Sequence, residues 1–322
     1  MDCSSSRSSA WHAAMRAALL ILAGLPAAMT GCGVPPPFTQ EDISPDGGLF
    51  ASPDGAGVIL RRTDSERPVR TLSGTHDAPV LAVHFNGSGD RLVSGDGRGK
   101  IVVWNPQDGK ILGTLAGHSA AIRQIAVRAS IPDLASCSED GTIKLWDLGA
   151  FREVRTLSGH TGPVTGLAFA PDGRTLASTS ADRTVKLWDV DSGGLLRTLR
   201  GHAAAVRAAD FDGLGTLLAT GSDDGTIKLW DVMTGRELRS MLGSRGPVLN
   251  LFMTRNGRWV LAYQSFTDPS SKELTRPLSI WNLVTGDLDV PDYLFEAKLA
   301  PPDWPYRAVF QEVAARAAHQ AR

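Results

Sequence analysis

GHTGPVTGLAFAPDGRTLASTSADRTVKLWD, residues 159–189, is followed 42 residues on by GHAAAVRAADFDGLGTLLATGSDDGTIKLWD, residues 201–231. The same landmarks stand 42 residues earlier, in GHSAAIRQIAV (117–127) and LASCSEDGTIKLWD (134–147). His76, His118, His160 and His202 keep this spacing, and so do Trp104, Trp146, Trp188 and Trp230. A fixed period of this length marks a repeated supersecondary unit. Inside each unit, short β-branched or alternating apolar runs such as TVKLW (184–188) predict strands. Turn signals separate them: PDG at 171–173, SEDG at 138–141 and DSGG at 191–194. Four such strands per unit bury a face only against a neighbouring unit, so the units must stack.

The Gly-His and Trp-Asp signatures at this spacing resemble the WD-repeat family. The resemblance implies an all-β fold, a β-propeller of four-stranded antiparallel blades. Weaker copies flank the strong ones. FTQEDISPDGGLFAS (38–52) matches VTGLAFAPDGRTLAS (164–178), with Arg61 where Trp would stand. The unit beginning near His76 keeps Trp104 but has Asn105 in place of Asp. In the last unit Trp281 follows Trp230 by 51 residues instead of 42, so nine are inserted, around 264–277. Six units result, at approximately 38–73, 74–116, 117–158, 159–200, 201–242 and 243–299. Six blades are therefore expected, the final outer strand coming from 286–299. A seventh blade from the tail, or an open ring completed by another chain, are the alternatives. Residues 300–322 are expected to hold a short helix with Val309, Phe310, Val313 and Ala317 on one stripe.

The first 31 residues have a different character. A Ser-rich stretch with Arg7 and Arg16 precedes the apolar run from Ala17 to Pro26, which is too short for a stable span. Thr30-Gly31-Cys32 follows, with Gly33-Val34-Pro35-Pro36-Pro37 after it. A small residue before a cysteine at this place resembles the bacterial lipobox, although Met29 stands where Leu is usual. The resemblance implies a signal peptide over 1–31, acylation of Cys32 and a stiff tether over 32–37. It places the protein in a bacterial cell envelope as a membrane-anchored lipoprotein facing the periplasm or exterior. Simple secretion, with cleavage near Ala27-Ala28, is the alternative.

Composition narrows the function classes. Hydrophobic residues at 42% and charged residues at 21% are ordinary for a globular chain. A net charge of −1 gives no global field to draw in nucleic acid, and none is expected as a partner. With Cys32 acylated and Cys3 removed, Cys137 is the one remaining thiol, and it sits in a predicted buried strand. It can form neither an internal disulfide nor a CxxC zinc site, and it reads as apolar filler.

Each strong unit carries a His, a Ser or Thr, an Asp and a Trp at fixed offsets. The sets are His118, Ser136, Asp140, Trp146; His160, Ser178, Asp182, Trp188; and His202, Thr220, Asp224, Trp230. Alone, a Ser-His-Asp set invites a hydrolase reading. Three copies argue against it, because an active site needs one nucleophile beside one oxyanion hole. The family resemblance implies instead a structural hydrogen-bond network within each blade. The set decays elsewhere: Arg98 takes the Asp position in the second unit, and Ala262 the Ser position in the sixth. Asp223-Asp224-Gly225 lacks the later carboxylates of a calcium loop. No metal, cofactor or catalytic residue is expected.

Surface chemistry is what remains. In the family, partners most often bind the face made by the loop before the innermost strand and the loop between the second and third strands. By position that face would present Arg98, Arg123, Glu139, Arg183, Arg207 and Asp223, and the 264–277 insertion would rise from it. The expected function is a non-catalytic scaffold that binds partner proteins or peptides. The alternative is a propeller enzyme or small-ligand receptor using the central channel, which would need convergent polar residues on the innermost strands.

Overall fold

The computed structural model describes residues 40–290 other than 66, 129–132, 243–245, 265, 268–273, 276–277 and 285–287. The expected signal peptide, tether, Cys32 and C-terminal helix lie outside the described residues.

Each predicted unit forms one antiparallel sheet whose strands follow chain order. The first comprises Asp42–Ile43, Leu49–Asp54, Gly57–Arg62 and Pro68–Leu72, and the second Val80–Phe85, Leu92–Asp96, Ile101–Trp104 and Ile111–Leu115. The third is Ile122–Val127, Asp133–Ser138, Thr142–Asp147 and Arg152–Ser158. The fourth is Val164–Phe169, Thr175–Ser180, Thr184–Asp189 and Leu195–Arg200. The fifth is Val206–Phe211, Leu217–Ser222, Thr226–Asp231 and Glu237–Leu242. The sixth is Val248–Met253, Trp259–Gln264, Leu278–Asn282 and Leu288–Val290. A two-stranded ribbon, Phe266–Thr267 with Leu274–Thr275, stands between its second and third strands, at the expected insertion. The described residues contain no helix. This is the all-β, repeated four-stranded architecture of a β-propeller.

Burial explains the composition of the strands. LVSGD (92–96) and IVVW (101–104) are buried throughout, which is why apolar and small residues run there without clean alternation. The fourth strands lie at the sheet edge and alternate poorly, with Ile111 and Leu112 exposed and Leu115 buried. Register repeats as closely as sequence. Leu92 faces Trp104, Leu134 faces Trp146, Leu176 faces Trp188 and Leu218 faces Trp230. Phe50 faces Arg61 and Val260 faces Trp281 in the same way, so Arg61 does occupy the Trp place.

Two compact units divide the chain between Leu157 and Ser158, the first holding sheets one to three and the second sheets four to six. Within each, side chains of one first strand hold the main chain of another. In the first unit Asp42 Oδ2 accepts from Phe85 N at 2.7 Å. The Gln40 carboxamide donates to Ile125 O and accepts from Ile125 N, both at 2.8 Å. In the second unit Asp210 Oδ2 accepts from Met253 N at 2.8 Å, and Thr165 Oγ1 donates to Val206 O at 2.5 Å. Asp42 and Asp210 are thus committed to capping backbone N–H groups that would otherwise be buried unpaired.

Candidate functional site

In sheets two to five the second and third strands carry the Ser or Thr and the Trp, and the loop before the first strand carries the His. In sheet three, Trp146 Nε1 donates to Ser136 Oγ at 2.7 Å. His118 Nε2 lies 2.8 Å from that hydroxyl, and His118 Nδ1 lies 2.8 Å from Asp140 Oδ2. In sheet four the three distances, through Trp188, Ser178, His160 and Asp182, are each 2.8 Å. In sheet five Trp230 and His202 both meet Thr220 Oγ1 at 2.8 Å, and His202 reaches Asp224 at 3.2 Å.

Chemistry fixes the protons. A carboxylate only accepts, so Nδ1 carries the imidazole hydrogen and Nε2 is the acceptor. The hydroxyl therefore donates to Nε2 and accepts from the indole. Burial, opposed by the hydrogen bond to Asp, holds the pKa of His118 and His160 below the ordinary value. His202 moves the same way, burial outweighing the attraction of Asp224. The carboxylates move down too. Burial works against ionised Asp140 and Asp182, but hydrogen bonds from Thr142 and His118, and from Thr184 and His160, pull them to about 2. Asp224 also falls to about 2, with Thr226 and Ala203 outweighing burial.

The Ser–His–Asp distances match those of a hydrolase triad, yet no substrate can reach the hydroxyl. Ser136, Ser178 and Thr220 have no exposed surface, and each oxygen already accepts an indole hydrogen. These groups bond the His loop, the second strand and the third strand into one element.

The second sheet corrects the sequence reading. Its network is complete, with the carboxylate supplied by Asp96 and not from position 98. His76 Nδ1 lies 2.9 Å from Asp96 Oδ2, His76 Nε2 lies 2.7 Å from Ser94 Oγ, and Trp104 Nε1 donates to Ser94 at 2.7 Å. Asp96 also caps the turn, accepting from Arg98 N at 2.9 Å and Lys100 N at 3.0 Å, as Asp140 accepts from Thr142 N at 2.9 Å. The turn is tight enough for a carboxylate two residues earlier to reach the same imidazole. Position 98 is thereby released, and Arg98 is exposed.

The outer sheets show two other outcomes. In sheet one Arg61 Nη1 donates to Ser52 Oγ at 2.6 Å, taking over the indole's hydrogen bond. In sheet six Ala262 offers no hydroxyl, and the buried Trp281 Nε1 has no hydrogen-bond partner among the described residues. That lone indole costs about 1–3 kcal/mol.

The six residues predicted to line a partner face divide into two groups. Arg123 is ion-paired to Glu139, and Arg207 grips Asp223 through Nε and Nη2 at 2.6–3.0 Å. In both pairs a first-strand arginine meets the acid opening the turn between the second and third strands of its own sheet. Arg98 and Arg183 are exposed, and neither guanidinium has a hydrogen bond or ion pair among the described residues. The first strands also hold what sequence reading passed over. His84 Nδ1 lies 2.7 Å from Asp42 Oδ2. Burial disfavours its charge, but Asp42 outweighs it and the His84 pKa is raised. The available signal was the spacing of Asp42, His84 and Asp210 by whole multiples of 42 residues. Cys137 is buried as expected, and burial pushes its thiol up to about 12.

The family model described as WD domain, G-beta repeat matches residues 66–105, 109–147, 151–189 and 193–231. A search of curated proteins finds no match. WD-repeat domains commonly serve protein interaction and are generally non-catalytic. Each matched segment contains the Trp of one of the four complete networks, so by repeat, sheet and hydrogen bond the chain belongs to the WD-repeat family.

Proposed function

We propose that this protein is an exported, lipid-anchored scaffold that binds partner proteins or peptides without catalysing a reaction. One observation carries the reading: the Ser or Thr hydroxyl of every His–Asp set among the described residues is buried and already accepts an indole hydrogen. Function is thereby left to exposed turns, and the turns between second and third strands hold the unpaired Arg98 and Arg183 and the inserted ribbon. Mixed charge beside an insertion suits a protein-binding surface. The apolar run ahead of Thr30-Gly31-Cys32 supports export and acylation at Cys32 in a bacterial envelope. A membrane is then a partner through the lipid alone. A small-ligand receptor finds less support, because Asp42 and Asp210 on the first strands already hold backbone N–H groups.

Two measurements test this. Cells fed a palmitate analogue should label the wild type and leave Cys32→Ser unlabelled; an unlabelled wild type removes the anchor. Crosslinking at the membrane should recover partners that disappear when 264–277 is replaced by a short turn. Identical recovery from both proteins would place the binding face elsewhere.

A further inference from the structure

The third strand carries a lysine at its middle in sheets three, four and five: Lys144, Lys186 and Lys228, each 42 residues apart. In sheet three Lys144 Nζ donates to Glu153 Oε2 at 2.8 Å and to Thr156 Oγ1 at 2.7 Å. In sheet five Lys228 Nζ donates to both carboxylate oxygens of Glu237, at 2.9 and 3.0 Å, and to Ser240 Oγ at 3.1 Å. The fourth strand thus gives each ammonium one carboxylate and one hydroxyl.

Sheet four keeps half of this arrangement. Lys186 Nζ donates to Thr198 Oγ1 at 3.0 Å. Leu195 pairs with Trp188 in the register by which Glu237 pairs with Trp230, and its aliphatic side chain is exposed. Lys186 is nonetheless as buried as its counterpart, at 7% exposure against 8% for Lys228. No carboxylate among the described residues lies within ion-pair distance of it, whereas Lys144 and Lys228 each have one. An ammonium has three hydrogens to place, and its burial without a counter-charge is unfavourable.

The place of the carboxylate is open as well. A Cβ on the glycine ahead of each network histidine measures it. On Gly117 that Cβ would stand 2.9 Å from Glu153 Oε2, and on Gly201 it would stand 2.9 Å from Glu237 Oε2. On Gly159 it would meet only Trp188 Cη2 at 3.2 Å and Lys186 Cε at 3.9 Å within the same 4 Å radius. Leu195 therefore does not fill the space that the two glutamates fill.

We propose that Lys186, with Thr198 and the open space over Gly159, forms a binding subsite for a carboxylate on an aliphatic stem. Sheets three and five show which group such a site takes and the two partners it meets there. Exposed Leu195 offers apolar surface at the position from which the glutamate stems start. A free aliphatic acid and a glutamate of another chain present this same group. The subsite lies on third and fourth strands and stands without the scaffold reading.

The test titrates the full chain with sodium butyrate at constant ionic strength and follows the lysine Cε resonances by NMR. The Lys186 resonance, assigned by its loss in Lys186→Met, should move and saturate. Those of Lys144 and Lys228, already paired, should stay in place. Leu195→Glu should leave Lys186 unresponsive and raise the thermal midpoint above that of wild type, because it restores the internal ion pair. Glu153→Leu should open the same subsite in sheet three, so that the Lys144 resonance responds too. A capped Gly-Glu-Gly tripeptide distinguishes the sources: tighter binding than butyrate assigns the carboxylate to another chain, and binding no tighter assigns it to a free acid. An unresponsive Lys186 in wild type, undiminished butyrate binding by Leu195→Glu, or a midpoint lowered by that substitution would each overturn the proposal. So would an unmoved Lys144 in Glu153→Leu, or sulfate competing as well as butyrate, which marks a general anion site.

Discussion

Glu41 stands where later repeats place Val83, Ile125, Leu167 and Leu251, all spaced by multiples of 42 residues and all buried. Its own exposure is 3%, and its Oε2 has no hydrogen-bond partner among the described residues. Burial raises its pKa to about 8, against a smaller opposing pull from Arg61. The folded state therefore holds a proton that the unfolded chain releases above about 4.5. The stability this proton brings is complete below pH 4.5 and lost as pH rises to about 8. Glu41→Gln cannot titrate, so relative to wild type it should gain up to about 1.4 kcal/mol per pH unit across that window. Urea melts at pH 4.5 and 8.5 measure the gain; a difference independent of pH would show that Glu41 is ionised in the fold. Sequence reading found Arg61 at its place but not the buried carboxyl, because a Glu just ahead of a two-residue strand looks like any surface acid until its neighbours are known.

At the scale of turns and strands, the fourth strand of sheet two meets the turn between third and fourth strands of sheet three. Arg70 and Arg239 each reach a carbonyl in the corresponding turn of the next sheet, Gln107 O at 3.0 Å and Val284 O at 2.9 Å. In sheet two Gly113 replaces that arginine, and Phe151 fills the space from the other side. A Cβ on Gly113 would stand 2.4 Å from Phe151 Cδ1, well inside contact distance. Gly113→Ala should therefore destabilise the protein by about 1–3 kcal/mol, and much of the loss should be recovered on adding Phe151→Ala. A denaturant double-mutant cycle reads the coupling, and strictly additive losses would mean that the two residues do not share this space. The same scale shows why Asp96 went unread. Offsets along the chain mark a carboxylate four residues past the Ser, whereas distance across a folded turn admits one two residues past it.

Across the whole molecule the networks act together on pH dependence. Burial, opposed by the paired carboxylates, lowers the pKa of His76, His118, His160 and His202. A neutral folded histidine leaves stability intact above the unfolded value of 6.5 and loses it as pH falls below, where only the unfolded chain takes up the proton. Each should steepen the loss by at most about 1.4 kcal/mol per pH unit. His84, with its pKa raised by Asp42 against burial, and Glu41, raised by its own burial, work in the opposite direction, and four outweigh two. Asp140, Asp182 and Asp224, held at about 2, extend the loss between pH 3.8 and 2. Unfolding free energy should hence begin to fall near pH 6.5, well above the carboxylate range. A profile flat down to pH 4.5 would mean that these histidines are charged in the fold.

The repeat, its strands and turns and its six units were determined by the sequence alone, and the family resemblance implied the four-part networks of sheets three to five. Each depends on residue type at a fixed spacing, and spacing along a chain is what a sequence records. Tertiary structure decided which carboxylate serves His76, that Arg123 and Arg207 are held by Glu139 and Asp223, and that Arg183 is unpaired. Those outcomes depend on distances across turns.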